Sequence, residues 1–168
     1  QWLAQAPVYP WPAVPAVQPR LAVLAFGTTR ADNLWPTDDW QSLGRQLIAQ
    51  GFGLALPQSS DQEQAWAEQL AQNLGAACQV WPRMSLAELT SRMAAATLVV
   101  GVDSGLSHLA IALNLPVVQI FSQPRVARAG PLGRAHQQPV GGERAPHSDE
   151  VWQVCQQVLA AAPARQSV

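Results

Sequence analysis

The sequence predicts an α/β domain, a three-layer sandwich around a mostly parallel sheet. Two observations carry that expectation. Short, continuously apolar runs closed by glycine, proline or polar residues alternate five times with longer amphipathic stretches, the pattern of buried parallel strands between helices. The segments joining successive runs are long enough for right-handed crossovers, where antiparallel neighbours would need only tight turns. With 168 residues, 48% of them hydrophobic, the chain can form one core of ordinary size.

The elements follow in order. Leu21–Phe26, closed by Gly27, reads as the first strand. A helix is expected over about 37–50, with Thr37 as its cap, Asp38 and Asp39 opposing the dipole in the first turn, and Trp40, Leu43, Leu47 and Ile48 on one face. Phe52–Leu56 is the second strand. The helix over about 60–74 turns Ala65, Trp66, Leu70 and Leu74 inward and stops at Gly75. Cys78–Trp81 is a short third strand, and Ser85-Leu-Ala-Glu88 is a capping box opening a helix to about Ala95. Thr97–Val102 is the fourth strand, about 105–113 the next helix, and Val117–Phe121 the fifth strand. Residues 122–147, rich in glycine, proline and arginine, read as a loop, and about 148–161 as a closing helix. Residues 1–19 read as a proline-rich interdomain linker, because missing donors and fixed φ angles in PVYPWPAVPAVQP oppose helix and central strand alike. The aromatics Trp2, Tyr9 and Trp11 either pack along the domain or face a neighbouring one. The domain proper is read as 20–162, and 163–168 as a tail.

Composition narrows the chemistry. A net charge of −1 provides no basic field for nucleic acid. All ten cations are arginine, so Schiff-base lysines and Walker-type lysines are excluded within this chain. Cys78 and Cys155 lack CxxC or histidine spacing, which argues against a zinc site or disulfide framework and fits a reducing compartment. No run approaches the roughly 20 apolar residues of a membrane span, and the N-terminus lacks the order of a signal peptide. A soluble domain is expected. Because the chain starts at Gln1, it is read as a piece of a longer protein or a processed product.

Ligands of such sheets bind outside the carboxyl ends of the strands, where the strand order reverses. Three segments there carry polar side chains. In VVGVDSGLSH, a strand runs through Asp103 into a helix whose Ser104 and Gly105 leave the first amide donors uncovered, so this end can bind phosphate. The alternatives are that Asp103 is only an N-cap and His108 only a core histidine. The GxGxxG and GxSxG patterns are both absent. In FGTTRADNLWP, two hydroxyls, a guanidinium and an amide gather after the first strand as an oxyanion cradle, or as a capped turn with Trp35 plugging the core. In LPQSSDQE, Ser60 or Asp61 caps a helix and Glu63 either extends that cap or turns its carboxylate to a sugar hydroxyl.

Three stretches, FGTTRADNLWPTDDWQSL, LPQSSDQEQAWAEQL and PRMSLAELTSRMAAATLVVGVDSGLSHLAIAL, followed by a short strand and a GPLG loop, resemble in order and spacing the C-terminal domain of the lipopolysaccharide heptosyltransferases. The resemblance covers about residues 20 to 160, and TTR with DSGLSH favours the type I branch. It implies a Rossmann-like domain, the C-terminal half of a two-domain GT-B glycosyltransferase. It also implies ADP-heptose as donor substrate, no separate cofactor and no metal. By the same resemblance, Thr28 and Thr29 contact the phosphates, Glu63 the ribose and the Met84 backbone the adenine. Asp103, Ser104, Gly105 and His108 surround the diphosphate and heptose.

The family usually carries a lysine where this chain has Asn33, and Arg30 or an arginine of the 122–134 loop is the candidate substitute, although guanidinium and ammonium are not interchangeable. The N-terminal domain, which in the family binds the acceptor and supplies a catalytic carboxylate, is not in these residues. The fragment is therefore expected to bind without catalysing, with no catalytic residue of its own. The acceptor implied is the Kdo of the lipopolysaccharide inner core, on Kdo-lipid A. The setting implied is cytoplasmic, compatible with peripheral contact at the inner membrane. Three other readings stand beside this one: a nucleotide-sugar-binding module without turnover, a related glycosyltransferase with another donor, and an epimerase of similar two-domain fold acting on a nucleotide sugar.

Overall fold

The computed structural model describes residues 20–28, 34–122 and 134–163. The linker read at 1–19, the positions Thr29, Arg30 and Asn33, and most of the 122–134 loop lie outside them. The elements run β1 (Arg20–Ala25), α1 (Thr37–Ala49), β2 (Phe52–Leu56), α2 (Asp61–Leu74), β3 (Cys78–Val80), α3 (Leu86–Ala94), β4 (Leu98–Val102), α4 (Gly105–Ala112), β5 (Val117–Phe121), β6 (Gln137–Gly141) and α5 (Ser148–Ala161). The expected α/β sandwich is borne out, and the expected boundaries hold to within one residue. The loop reading of 122–147 is corrected: it contains β6, which pairs in parallel with β5.

All described pairings are parallel, in the order β3-β2-β1-β4-β5-β6. From β1 the chain winds outward through β2 to β3, then returns to β4 on the other side of β1 and winds the opposite way. The reversal lies between β1 and β4, which makes their carboxyl ends the switch point.

Alternation along the strands sorts side chains to two faces. Ala22, Leu24, Leu98, Val100, Val102, Val118 and Ile120 join α1, α2 and α5 in the larger core through Leu43, Leu47, Leu70, Val151, Cys155 and Val158. On the opposite face, Val23, Ala25, Ala55, Val99 and Val117 pack with Met93 and Ala110 from α3 and α4. Both cysteines are buried and free. Burial pushes the Cys78 thiol up to about 11 and the Cys155 thiol up to about 12, because an apolar surrounding disfavours the thiolate.

Three local expectations change. Thr37 does not cap α1: Pro36 occupies that position, and the Thr37 hydroxyl accepts from Trp66 Nε1 at 2.9 Å. Ala65 is exposed rather than inward, since Ala67 and Leu70 take the buried stripe of α2. The α5 N-terminus is capped from outside, with Ser148 N donating to Asp39 Oδ1 of α1 at 3.2 Å. The Trp35 plug is present: it is buried, stands edge-on to Trp40 and donates from Nε1 to Pro146 O at 2.8 Å.

Candidate functional site

A cleft of about 810 Å3 opens at the carboxyl ends of β1, β2, β3 and β4. It collects Thr28, Glu63, Met84, Asp103, Ser104, Gly105 and His108, which are all the expected site residues that are described. Thr29, Arg30 and Asn33 lie outside the described residues.

The α4 wall starts where the buried β4 strand ends. Ser104, in extended conformation, is the N-cap, and its hydroxyl accepts from Ser107 N at 3.4 Å. Two sequence readings are thereby corrected: Asp103 is not the cap, and the first turn is not wholly uncovered. Ser107 N goes to Ser104 Oγ and His108 N to Ser104 O. The amides of Gly105 and Leu106, two residues that line the cleft, remain for a ligand. The first turn of α4 holds no acidic residue, so nothing within the turn offsets the positive end of the helix dipole. Nothing lies within 4 Å of where a Cβ on Gly105 would sit, which leaves the backbone open to close approach.

Asp103 is freed from capping for another task. Its Oδ1 lies 3.0 Å from His108 Nε2, and its side chain is 15% exposed against 51% for His108. His108 is thus no core histidine; it stands at the cleft with one ring nitrogen tied to a carboxylate, which fixes the ring's orientation.

The α2 wall is built differently. Ser60 caps the helix by accepting from Glu63 N at 3.1 Å. The Glu63 carboxylate turns back, and its Oε1 accepts from Ser59 N at 2.9 Å and Ser59 Oγ at 3.1 Å. The carboxylate thus serves the turn, as the capping reading expects, and it also lines the cleft. Gly27 makes room for it: a Cβ there would fall 2.7 Å from Glu63 Oε2.

Sequence reasoning missed Arg83 and Gln58. Arg83 donates to Gln58 Oε1 at 3.0 Å and to Asp61 Oδ1 at 2.6 Å, which ties the β2–α2 and β3–α3 connections together at the rim. Their only sequence signal was position at strand ends. Beside them Met84, Leu89, Leu106 and Leu109 give this end of the cleft apolar walls, so one end suits a flat apolar ring and the other an anion. Among the described residues no group of three or more His, Cys, Asp or Glu side chains could hold a metal ion, and no helix is long and apolar enough to cross a membrane.

Comparisons with known proteins place the chain in a family. The profile of glycosyltransferase family 9 (heptosyltransferase) matches residues 7–157. Lipopolysaccharide heptosyltransferase 1 of Pseudomonas aeruginosa is 36% identical over 113 residues, 67% of this chain and 32% of the relative. The Salmonella typhimurium protein of the same name is 36% identical over 119 residues, 71% of this chain and 37% of its own. The E. coli heptosyltransferase WaaC, whose structure with ADP is known, superposes with a TM-score of 0.73 at 31% identity, over 89% of this chain and 47% of that one. The chain thus spans about a third of the length of these curated relatives. Relatives named type 1 match the branch that the TTR and DSGLSH segments favoured. The chain belongs to glycosyltransferase family 9, the heptosyltransferases.

Proposed function

We propose that this chain is the donor-binding half of a lipopolysaccharide heptosyltransferase I and that its cleft holds ADP-heptose. The observation that carries the reading is the convergence of Thr28, Glu63, Met84, Asp103, Ser104, Gly105 and His108 on one cleft at the switch point of a parallel sheet. The diphosphate lies against the α4 N-terminus, where the Gly105 and Leu106 amides and the helix dipole favour negative charge. Thr28 adds a hydroxyl donor after β1, and the family resemblance gives Thr29 the same role. The Glu63 carboxylate accepts from ribose hydroxyls, and adenine lies along the apolar end by Met84. Asp103 and His108 stand beside the heptose.

In an inverting transfer a base takes the proton of the acceptor hydroxyl while the leaving diphosphate gains charge. The α4 N-terminus stabilises that charge as it develops. The base and the Kdo acceptor site belong to the portion of the whole protein outside this chain, so the fragment binds donor without turning it over. WaaC structures with ADP and with ADP-2-deoxy-2-fluoro heptose support the donor class. With Asn33 at the family's lysine position, neutralisation of the diphosphate falls to the helix end and to arginine.

Calorimetric titration with ADP, GDP and UDP tests the reading. ADP should bind tightest, because the base slot follows the Met84 segment. Tighter binding of UDP would overturn the donor assignment.

A further inference from the structure

β5 carries one polar residue into the sheet's interior. Gln119 is fully buried, between Val118 and Ile120 in the run VVQIF. Its Oε1 has no hydrogen-bond partner among the described residues. A buried amide with one half unpaired is costly, and apolar neighbours would accept an apolar side chain of the same shape. The other half of the amide has a partner: Nε2 donates to Asp103 Oδ1 at 3.4 Å.

Register explains the reach. Gln119 pairs with Gly101 on β4, and Asp103 lies two residues beyond Gly101, on the same face of the sheet. Gly101 has no side chain to stand between them. The hydroxyl of Ser107 comes close to the space a Cβ would fill, so α4 sits tight against this row. Oδ1 of Asp103 thus meets a buried amide from below and the His108 ring from the cleft side.

We infer that Gln119 is a positioning residue, holding the Asp103 carboxylate as an oriented acceptor so that the Asp103–His108 pair meets the sugar end of a nucleotide-sugar donor in one fixed geometry. The unpaired buried Oε1 is then a stability cost tolerated for the sake of the site, as happens where function and stability compete. Gln119 does not itself border the cleft. It acts only through Asp103. The inference rests on the donor reading for the identity of the ligand, but not for the tether itself.

The test uses the 168-residue chain and the variant Gln119→Met, which keeps length and volume and removes the amide. The carboxyl 13C resonance of Asp103 and the ring resonances of His108 are recorded without ligand, melting is followed, and ADP and ADP-heptose are titrated. The inference expects both sets of resonances to move and melting to hold or rise. It also expects ADP-heptose to bind about tenfold weaker while ADP stays within about twofold. Unmoved Asp103 and His108 resonances in the folded variant would overturn it, as would equal weakening of ADP and ADP-heptose. If the wild-type chain binds no ADP-heptose, the donor reading fails, and the ligand-free resonances alone decide whether the tether exists. Should Gln119→Met not fold, the isosteric Gln119→Glu is read by the same resonances. Failure of both to fold would make Gln119 a structural residue and contradict the inference.

Discussion

At the carboxyl end of the sheet Asp103, His108, Glu63 and Thr28 border an open cleft; at the amino end Asn114, Arg134 and His136 close on one another. Asn114, in left-handed conformation at φ 58, ends α4, and its Oδ1 accepts from the Arg134 guanidinium and from His136 Nε2. Just inside, buried Gln137 donates to Ile111 O in the last turn of α4 at 3.2 Å, an oxygen that also accepts from Asn114 N, and to Leu115 O in the connection to β5 at 3.1 Å. Both clusters are polar and each contains one histidine. What separates them is that the amino-end groups satisfy each other, whereas the carboxyl end keeps helix amides beside a cavity. A cluster of polar residues therefore says little until the helix end it serves is known. A helix C-terminus demands donors for its own carbonyls, while a helix N-terminus with a small-residue cap can offer donors to something else.

The variant that breaks both ends together is Gly101→Val. A Cβ there would run into Ser107 Oγ and lie 2.8 Å from Ala25 Cβ, so α4 must lift from the sheet. Stability should fall by about 3 kcal/mol, as for other overpacked cores, and nucleotide affinity should fall with it; chemical denaturation beside calorimetry reads both. Gln137→Leu separates the ends. It removes one hydrogen bond from the buried Leu115 carbonyl and one from the partly buried Ile111 carbonyl, which keeps Asn114 N, and should cost about 1–2 kcal/mol of stability with ADP affinity unchanged. A loss of affinity in that variant would mean the ends are coupled through α4.

Gly105→Val makes the opposite cut. No neighbour stands within 4 Å of the new Cβ, so melting should be unaltered, while obstruction of the α4 amides should weaken ADP about tenfold, or about 1.4 kcal/mol. Unchanged affinity would remove this helix as the phosphate site. The smallest effect at neutral pH concerns the cysteines, which belong to neither end. Their thiols are held at about 11 and about 12 in the fold against an ordinary value of 9.0. The neutral form is thus favoured in the folded state, and its full contribution to stability is present below pH 9.0. That contribution is lost as pH rises through about 11 and 12, because the unfolded chain ionises first. Urea midpoints between pH 8 and 11 should decline, and less so in Cys155→Ala once its own lower stability is subtracted.

How much of this was legible in the sequence differs by region for physical reasons. The strands and helices that pack the two cores announce themselves by uninterrupted apolar runs and period, hence β4, β5 and α5 fall where expected. β6 did not, because Gln137-Gln-Pro-Val-Gly141 has the composition of a turn. As a strand at the edge of the sheet it tolerates Pro139, whose missing donor no further strand requires. The cleft residues on strand ends were legible because the switch-point rule names those places in advance. Gln119 and Arg83 were not. Gln119 hides within an apolar run and acquires meaning only through the β4–β5 register, and Arg83 acquires it only when two loops meet. The roles of Ser104 and Thr37 turned on one-residue shifts of helix starts, the level at which sequence signals for caps are weakest.

The contrast between the two ends is tested most directly by mapping an ADP titration onto backbone amide resonances of the 168-residue chain. Progressive shifts are expected at Gly105, Leu106 and His108 on α4, at Gly27, Thr28 and Glu63 across the cleft, and at Met84 by the base, with Asn114, Arg134 and His136 unmoved. Shifts centred on Asn114 and His136, or saturable binding that leaves the Gly105 and Leu106 amides in place, would contradict it.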